Sequence, residues 1–338
     1  MLVHKNMKQR LEYIDALRGL AILLVVFMHV PQYGFGLSIG GYYMELASLL
    51  AVPLFFFISG LFIPLEITPP SSIVKIKKRV HSILFPTIVI GGLYAMLNHI
   101  SIMDMLQDKF KTGYWFTITL FEFFAIIDML RLMACKSQRL FYLLLIGACF
   151  VCYGLSVPTV QRMYGDVVIA HILGIAQWKY FIFFVLGMFV KHNAKTIYSD
   201  KGGAAVVIVF LIVYAANAIG DFQLNGLLYN INLLLKEISI VLLAYYVFYT
   251  YRSKLSSQTR VGRCLSKIGT YTLEIYLIHY FVLPRNLNLL VDYSDLERNS
   301  LIAFLFLLVV TLGVVVVVYA VKVVLQCNVC IRRLMWNK

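Results

Sequence analysis

The segment YIDALRGLAILLVVFMHV, residues 13 to 30, is an apolar run with Arg18 near one end and His29 near the other. An apolar stretch of about twenty residues is long enough to cross the ~30 Å hydrocarbon core of a bilayer as a helix. Ionisable side chains inside a membrane are costly, and they usually face the protein interior or a water-filled cavity, where they serve a function. The segment therefore predicts a first membrane helix that carries two functional side chains.

Arg18 and His29 are predicted to share one face of this helix. At about 100° per residue, the step between them comes to roughly 1100°, which is three turns and about 20°. The same step rises roughly 16 Å along the axis, at about 1.5 Å per residue. The sequence thus predicts a groove with a guanidinium at one end and an imidazole at the other. Pro31 is expected to end the helix just beyond His29.

The composition excludes an ordinary soluble protein. The chain is 61% hydrophobic and 14% charged, with a mean hydropathy of +0.83, whereas soluble domains are about a quarter charged. The net charge of +14 does not indicate a nucleic-acid partner, because the basic residues lie in short loops between apolar segments and not on one face or tail of a soluble domain.

The apolar segments predict an all-α integral membrane protein, a bundle of about ten transmembrane helices that forms a single domain over residues 1–338. The sixth and ninth segments are short and the eighth contains polar residues, so these three are the least regular. No loop is long enough for a separate soluble domain. The segments are 13–32, 44–64, 80–98, 114–131, 140–157, 178–191, 203–219, 230–250, 270–284 and 300–325.

The positions of the basic residues predict the orientation. Most of them fall in alternate loops, which are predicted to be cytoplasmic together with both termini. No small-x-small cleavage site follows His29, so the first helix is expected to be retained and not removed as a signal peptide. The loops on the other side hold Lys109, Lys111, Arg162, Arg285 and Arg298.

The cysteines do not predict a metal site. Cys149 and Cys152 lie within the fifth segment, whereas Cys327 and Cys330 follow the tenth. Two pairs at such different depths do not suit the tetrahedral geometry of zinc, and we expect small apolar fillers and no metal.

Arg18, ten intervening residues and His29 resemble the signature that opens the acyltransferase 3 family of integral membrane O-acyltransferases. Further stretches resemble later family segments in the right order. They are VPLFFFISGLFIP (52–64), KIKKRVHSILFP (75–86), GYWFTITLFEFF (113–124), KYFIFFVLGMFV (179–190) and IGTYTLEIYLIHYFV (268–282). The resemblance covers most of the chain.

The resemblance implies a ten-helix domain in the bacterial plasma membrane that takes an acyl group, usually acetyl from acetyl-CoA, on the cytoplasmic side. The acceptor would be a hydroxyl of an envelope glycan, a lipid-linked sugar or a similar molecule, reached across the membrane. The chain shows no fused hydrolase-like domain, so it resembles the stand-alone members. The implied partners are the acyl-CoA donor, the acceptor and membrane lipids, with a homo-oligomer left open.

The first helix supplies the predicted catalytic residues. Acyl transfer to an alcohol needs a base, and His29 suits that role because its free pKa lies near 6.5. The alternative is a buried histidine satisfied by a carbonyl. Arg18 suits the anionic donor, since a guanidinium binds phosphate with two hydrogen bonds; the alternative is that it reaches to the inner headgroups. Asp15, one turn away, is expected to orient Arg18 or simply to pair with it.

The basic start of the third segment is a candidate for binding the phosphates of acetyl-CoA. It contains Lys75, Lys77, Lys78 and Arg79. Such clusters also mark cytoplasmic loops in membrane proteins generally, which is the alternative reading. Members of the family tend to have arginine where this chain has Lys77 and Lys78, so Arg79 is the stronger candidate of the three.

Four residues within later apolar segments are candidates for the acceptor pocket: Trp115, Glu122, Tyr276 and His279. Each is polar or amphipathic, and each could instead be an interfacial anchor or a polar contact between helices.

A transporter is the alternative class of protein. An exporter of a small anionic metabolite or glycan would also have interrupted helices and buried charges such as Lys236 and Glu237 near the bilayer midplane. Against it, the sequence shows no inverted repeat, and the spacing of Arg18 and His29 has no evident role in transport.

Overall fold

A computed structural model describes residues 11–36, 42–69, 71, 73–165, 167–193, 197, 199–219, 226–255, 258–291, 293 and 300–327. These residues form helices joined by short turns, with no strand among them. The helices are α1 (Glu12–Phe35), α2 (Tyr42–Gly60), α3 (Ile73–Leu97), α4 (Ile102–Gln107), α5 (Trp115–Met133), α6 (Gln138–Leu155), α7 (Pro158–Met163), α8 (Val168–Ile172), α9 (Phe181–His192), α10 (Asp200–Ile219), α11 (Leu227–Thr250), α12 (Arg260–Thr270), α13 (Thr272–Val282) and α14 (Ser300–Cys327).

Each of the ten predicted segments overlaps a helix, so the all-helical fold class is confirmed. Among the described residues, six helices are long and apolar enough to cross a membrane: α1, α2, α3, α6, α11 and α14. The other four segments correspond to α5, which carries charged residues, to the 20-residue α10, and to the shorter α9 and α13. The number of spans and the cytoplasmic side of the termini remain predictions, and residues 1–10 and 328–338, with Cys330 and several of the basic residues, lie outside the described part.

Three details differ from the sequence-based segments. The third helix begins seven residues earlier than predicted, at Ile73, and contains a π-helical turn over Val80–Leu84. The ninth segment is preceded by a separate helix, because the chain breaks between α12 and α13 at Tyr271.

Pro31 does not end α1, contrary to expectation. The helix continues to Phe35 and ends at Gly36, whose φ of 67° is left-handed and whose N–H donates to the carbonyl of Pro31. A proline inside a helix removes a single backbone hydrogen bond. The four further residues keep the turn after His29 helical, which places Gln32 beside His29.

The α1 helix and the α12–α13 pair lie side by side and run in the same direction. A side chain at Gly269 would lie 1.7 Å from the carbonyl oxygen of Asp15, and one at Gly19 would lie 2.1 Å from that of Leu265. The two backbones therefore touch, as small residues permit between membrane helices. Further along both helices, ten residues after Gly19 and eleven after Gly269, Tyr280 reaches His29, so the glycine contact fixes how α13 faces α1.

The last helix, α14, runs opposite to α1 and α13. Phe304, near its start, packs on Phe27 with ring centroids 5.7 Å apart, whereas Lys322, near its end, lies 3.4 Å from the carboxylate of Glu274. A second glycine contact joins α2 to α9, because a side chain at Gly60 would lie 1.9 Å from the carbonyl oxygen of Phe184. Of these helices, α1, α2, α12 and α13 line the space that holds the candidate site.

Candidate functional site

Arg18 and His29 line one continuous cavity of about 910 Å³. The wall between them is largely apolar and includes Ile22, Val25 and Met28 on α1. The rest of the wall comes from α2, α3, α5, α12, α13, the turn before α5 and Tyr180 just before α9. The structure therefore places both ends of the predicted groove in the same internal space.

The imidazole of His29 is held between α1 and α13. Its Nδ1 lies 2.8 Å from the amide oxygen of Gln32, and its Nε2 lies 3.1 Å from the hydroxyl oxygen of Tyr280. The ring of His279 stacks on it, with centroids 5.4 Å apart and an interplanar angle of 27°. Both ring nitrogens thus have defined partners, and one face of the ring is covered.

The carbonyl of Gly113 meets two tyrosine hydroxyls. Tyr276 donates to it at 2.7 Å, and the hydroxyl of Tyr280 lies 3.4 Å from the same oxygen. Gly113 has a φ of 102°, and a Cβ atom there would lie 2.2 Å from the ring of Tyr280. Only glycine fits this position, because it tolerates the positive φ and leaves room for the tyrosine ring.

The turn before α5 is held by the charged side chains of Asp108 and Lys111. The carboxylate of Asp108 accepts the N–H of Thr112 at 2.6 Å. The ammonium of Lys111 is buried and donates to the carbonyls of Leu106, Asp108 and His171. Burial lowers the pKa of Lys111 below its usual value. These bonds hold a turn in which Lys111 and Thr112 also have positive φ, an unfavourable backbone that needs such support.

Arg18 lies at the opposite end of the cavity. Its guanidinium is 3.3 Å from the buried carboxylate of Asp15 and 4.8 Å from the ring centroid of Phe62. About a third of its side chain, 34%, is exposed. Asp15 pairs with Arg18 as expected and does not itself line the cavity, whereas Glu274 does.

The predicted donor-binding residues of the third helix lie outside the cavity wall. Lys77 and Lys78 are exposed. Arg79 is 3.3 Å from Asp128 on α5, and its guanidinium lies 4.3 Å over the ring of Phe124. Of the five residues predicted to bind the donor, which are Arg18, Lys75, Lys77, Lys78 and Arg79, Arg18 is the one that lines the cavity.

The four candidates for the acceptor pocket divide into two pairs. Trp115 and Tyr276 line the cavity. Glu122 lies outside it and accepts the indole N–H of Trp178 at 2.8 Å. His279 is fully buried, its Nδ1 donates to the carbonyls of Ile275 and Tyr276, and its ring packs on those of His29 and Tyr280, with centroids 5.4 Å and 4.0 Å away.

Sequence reasoning missed four residues that shape the His29 end of the cavity: Gln32, Asp108, Gly113 and Tyr280. Two of them had a signal. Gln32 lies three residues after His29, and Tyr280 lies four residues after Tyr276, so helical periodicity places each on the relevant face. Asp108 and Gly113 lie in an irregular turn, and their part in the site depends on contacts that no local pattern reveals.

Comparison with known families gives one result. The family model described as the acyltransferase domain, acyltransferase 3, matches residues 11–320. A search of curated proteins and a search of solved structures each found no match. The family match covers nearly the whole chain, including every helix of the candidate site, and we conclude that this protein belongs to the acyltransferase 3 family of membrane acyltransferases.

Proposed function

We propose that the protein is an O-acetyltransferase of the bacterial plasma membrane. It would move an acetyl group from cytoplasmic acetyl-CoA to a hydroxyl of an envelope glycan or lipid-linked sugar. The observation that carries this proposal is the single cavity that joins Arg18 to His29, with Nε2 of His29 at hydrogen-bonding distance from a hydroxyl.

His29 is the proposed general base. The hydroxyl of Tyr280, 3.1 Å from Nε2, marks a position from which an acceptor hydroxyl could also donate. Nε2 takes the proton of the acceptor, and the acceptor oxygen attacks the carbonyl carbon of the thioester. A carbon–oxygen bond forms, the carbon–sulfur bond breaks, and His29 returns the proton to the leaving sulfur. A base of this kind typically contributes 10²- to 10⁴-fold to a rate.

Tyr280 is the proposed donor to the developing oxyanion. Once an acceptor hydroxyl occupies Nε2 of His29, the hydroxyl of Tyr280 is released to donate to the negative oxygen of the tetrahedral intermediate. Tyr280 is buried, and a donor fixed in a water-excluded site stabilises such an oxygen more strongly than water does.

Arg18 is the proposed contact for the phosphates of the donor. A guanidinium binds phosphate with two parallel hydrogen bonds, and Arg18 keeps about a third, 34%, of its side chain exposed at its end of the cavity. The charged nucleotide would stay there, because each buried ion costs several kcal/mol to desolvate. The uncharged arm of the donor would then extend roughly 16 Å along the apolar wall of α1 to His29.

The His29 end of the cavity suits a sugar acceptor. Its wall combines the aromatic rings of Tyr33, Trp115 and Tyr276 with the polar side chains of Gln32 and Asp108. Rings can pack on the faces of a sugar, while a few placed polar groups bind its hydroxyls and set its orientation.

Acetyl-CoA labelled in its acetyl group tests the proposal. The purified protein is reconstituted into proteoliposomes containing lipid-linked envelope sugars, and label is followed in the sugar fraction together with release of free CoA. We expect both to appear in equal amounts. Intact acetyl-CoA together with movement of a glycan or anionic metabolite across the bilayer would instead support a transporter.

A further inference from the structure

We infer that Gln32 is a positioning residue that holds His29 with its proton on Nδ1 and its lone pair on Nε2. The inference rests on the proposed role of His29 as base. It identifies Gln32 as the residue that determines which ring nitrogen of His29 is free to accept a proton. The partner is a neutral amide on the same helix, one turn beyond the histidine.

The first observation is the contact itself. The side-chain oxygen of Gln32 lies 2.8 Å from Nδ1 of His29. With the amide oxygen turned toward the ring, Nδ1 carries the proton of this contact, because an amide oxygen can only accept a hydrogen bond. The continuation of α1 past Pro31 makes the contact possible, because residues three apart face each other only while the chain stays helical.

The second observation comes from the other side of the ring and is independent of how the amide of Gln32 is turned. The carbonyl of Gly113 already accepts the hydroxyl of Tyr276 at 2.7 Å. Tyr280 lies 3.4 Å from that carbonyl and 3.1 Å from Nε2 of His29. The hydroxyl has one proton to donate, and we assign that proton to Nε2, the nearer of the two possible acceptors. Nε2 is therefore an acceptor, and in a neutral ring the proton must sit on Nδ1.

The contact of Nδ1 with Gln32 and the contact of Nε2 with Tyr280 indicate the same tautomer of His29. That tautomer is the one that catalysis needs. Nε2 contacts Tyr280, which lines the cavity with His29, and a base must present a lone pair to the acceptor hydroxyl. In the other tautomer an N–H would point at that hydroxyl and could not remove its proton. The partner of the second ring nitrogen sets this choice.

A neutral partner also suits the membrane setting. A carboxylate beside Nδ1 would orient the ring equally well, but it would add an ion to a largely apolar cavity, where an ionised group is costly. An amide fixes the ring without that charge. An amide stabilises the imidazolium that forms during the reaction less than a carboxylate would. Replacing Gln32 by a carboxylate should therefore change the pH dependence of the rate.

The titratable neighbours of His29 and the charged residues of the cavity wall can be named. The effect of a Gln32 substitution on His29 can therefore be separated from theirs. His279 stacks on the ring, Tyr280 bonds Nε2, and Tyr33 packs with its ring centroid 5.9 Å away. The charged residues in the cavity wall are Arg18, Asp108 and Glu274. All six stay the same when Gln32 is replaced.

The kinetic test compares Gln32→Leu with Gln32→Glu in the reconstituted full-length protein. Leucine removes the acceptor, and we expect kcat to fall roughly 10- to 100-fold, as happens when a metal-bound histidine loses the group that orients it, with KM for acetyl-CoA unchanged. Glutamate restores an acceptor and favours the imidazolium. We expect it to recover most of the rate while moving the acidic limb of the pH profile to higher pH. An unmoved acidic limb in Gln32→Glu, or a rate for Gln32→Leu within about twofold of wild type, overturns the inference.

A spectroscopic test separates this inference from the proposed function. NMR of isotope-enriched histidine ring nitrogens reports the tautomer directly, and the signals of His29 are identified by their loss in His29→Ala. We expect the proton on Nδ1 in the wild-type protein and a shift toward Nε2 in Gln32→Leu. A proton on Nε2 in the wild type refutes the inference whether or not transfer is observed. Absence of transfer with the expected tautomer would count against the acetyltransferase proposal alone.

Discussion

The hydroxyl of Tyr280 lies 3.1 Å from Nε2 of His29, across a sequence separation of 251 residues. The contact exists because α13 passes α1 in a register set by the backbone contact at Gly19 and Gly269. The first helix therefore supplies the proposed base, and the ninth predicted segment supplies the hydroxyl that meets it. The candidate site depends on the packing of these two segments as much as on the residues of either one.

The hydroxyl of Tyr280 should be needed for turnover. Tyr280→Phe removes the proposed oxyanion donor while leaving the ring in place, and loss of such a donor lowers kcat roughly 10²- to 10³-fold. The measurement is acetyl transfer by the reconstituted variant. Tyr43→Phe is the matched control, because the ring of Tyr43 packs on Phe27 and does not line the cavity. A Tyr280→Phe protein that works at the wild-type rate would remove Tyr280 from the mechanism.

Gly113 should tolerate no side chain. In Gly113→Ala the new methyl group would overlap the ring of Tyr280, 2.2 Å away, at a φ of 102°. A residue forced into such backbone costs about 1 to 3 kcal/mol, so we expect lower thermal stability and a displaced Tyr280 with little transfer. Gly92→Ala in α3 is the control, because no atom lies within 4 Å of the added Cβ. Equal stability and activity of the two variants would contradict the packing described for Tyr280.

Much of the fold could be predicted from the sequence, because the relevant signals are local. Apolar length located a helix in each of the ten segments, and the 100° step along α1 correctly placed Arg18 and His29 on a shared face. The prediction for Pro31 was wrong, since buried packing around α1 outweighs the loss of one hydrogen bond.

The candidate site was only partly predictable, because its other members meet through long-range contacts. The basic cluster of the third segment suggested a phosphate site, but Arg79 is held by Asp128, 49 residues away, and nothing local to either residue indicates that pair. The site residues Gly113 and Tyr280 likewise meet only after α5 and α13 pack. A local pattern can place a residue on a face, whereas the partner across that face depends on the tertiary fold.

Arg18 should contribute more to donor binding than Arg79. Arg18→Ala removes a charge-assisted contact worth roughly 1.5 to 3 kcal/mol, so calorimetric titration with acetyl-CoA should show a dissociation constant about 10- to 100-fold higher. Arg79→Ala should leave that constant unchanged and lower the melting temperature, because Asp128 loses a partner. An equal loss of affinity in both variants would show that the basic start of α3 binds the donor after all.

The acetyl group should be transferred across the membrane in one direction. The proposed donor contact and the proposed base lie at opposite ends of the cavity, roughly 16 Å apart along α1. In sealed vesicles of known orientation, acetyl-CoA should therefore work only when it is added to the cytoplasmic face, and acetylated product should appear on the other face. Product found only on the donor side would reject delivery across the membrane while leaving the acyltransferase reaction intact.

The most direct test of the account is the rate of acetyl transfer by His29→Ala, measured with labelled acetyl-CoA in proteoliposomes containing lipid-linked envelope sugars. His99→Asn is the matched control, because His99 is exposed and asparagine tolerates its φ of 57°. If His29 is the base, the folded His29→Ala protein should lose at least about 10²-fold in kcat, and His99→Asn should match wild type. A folded His29→Ala protein that keeps more than about a tenth of the wild-type turnover would contradict the account.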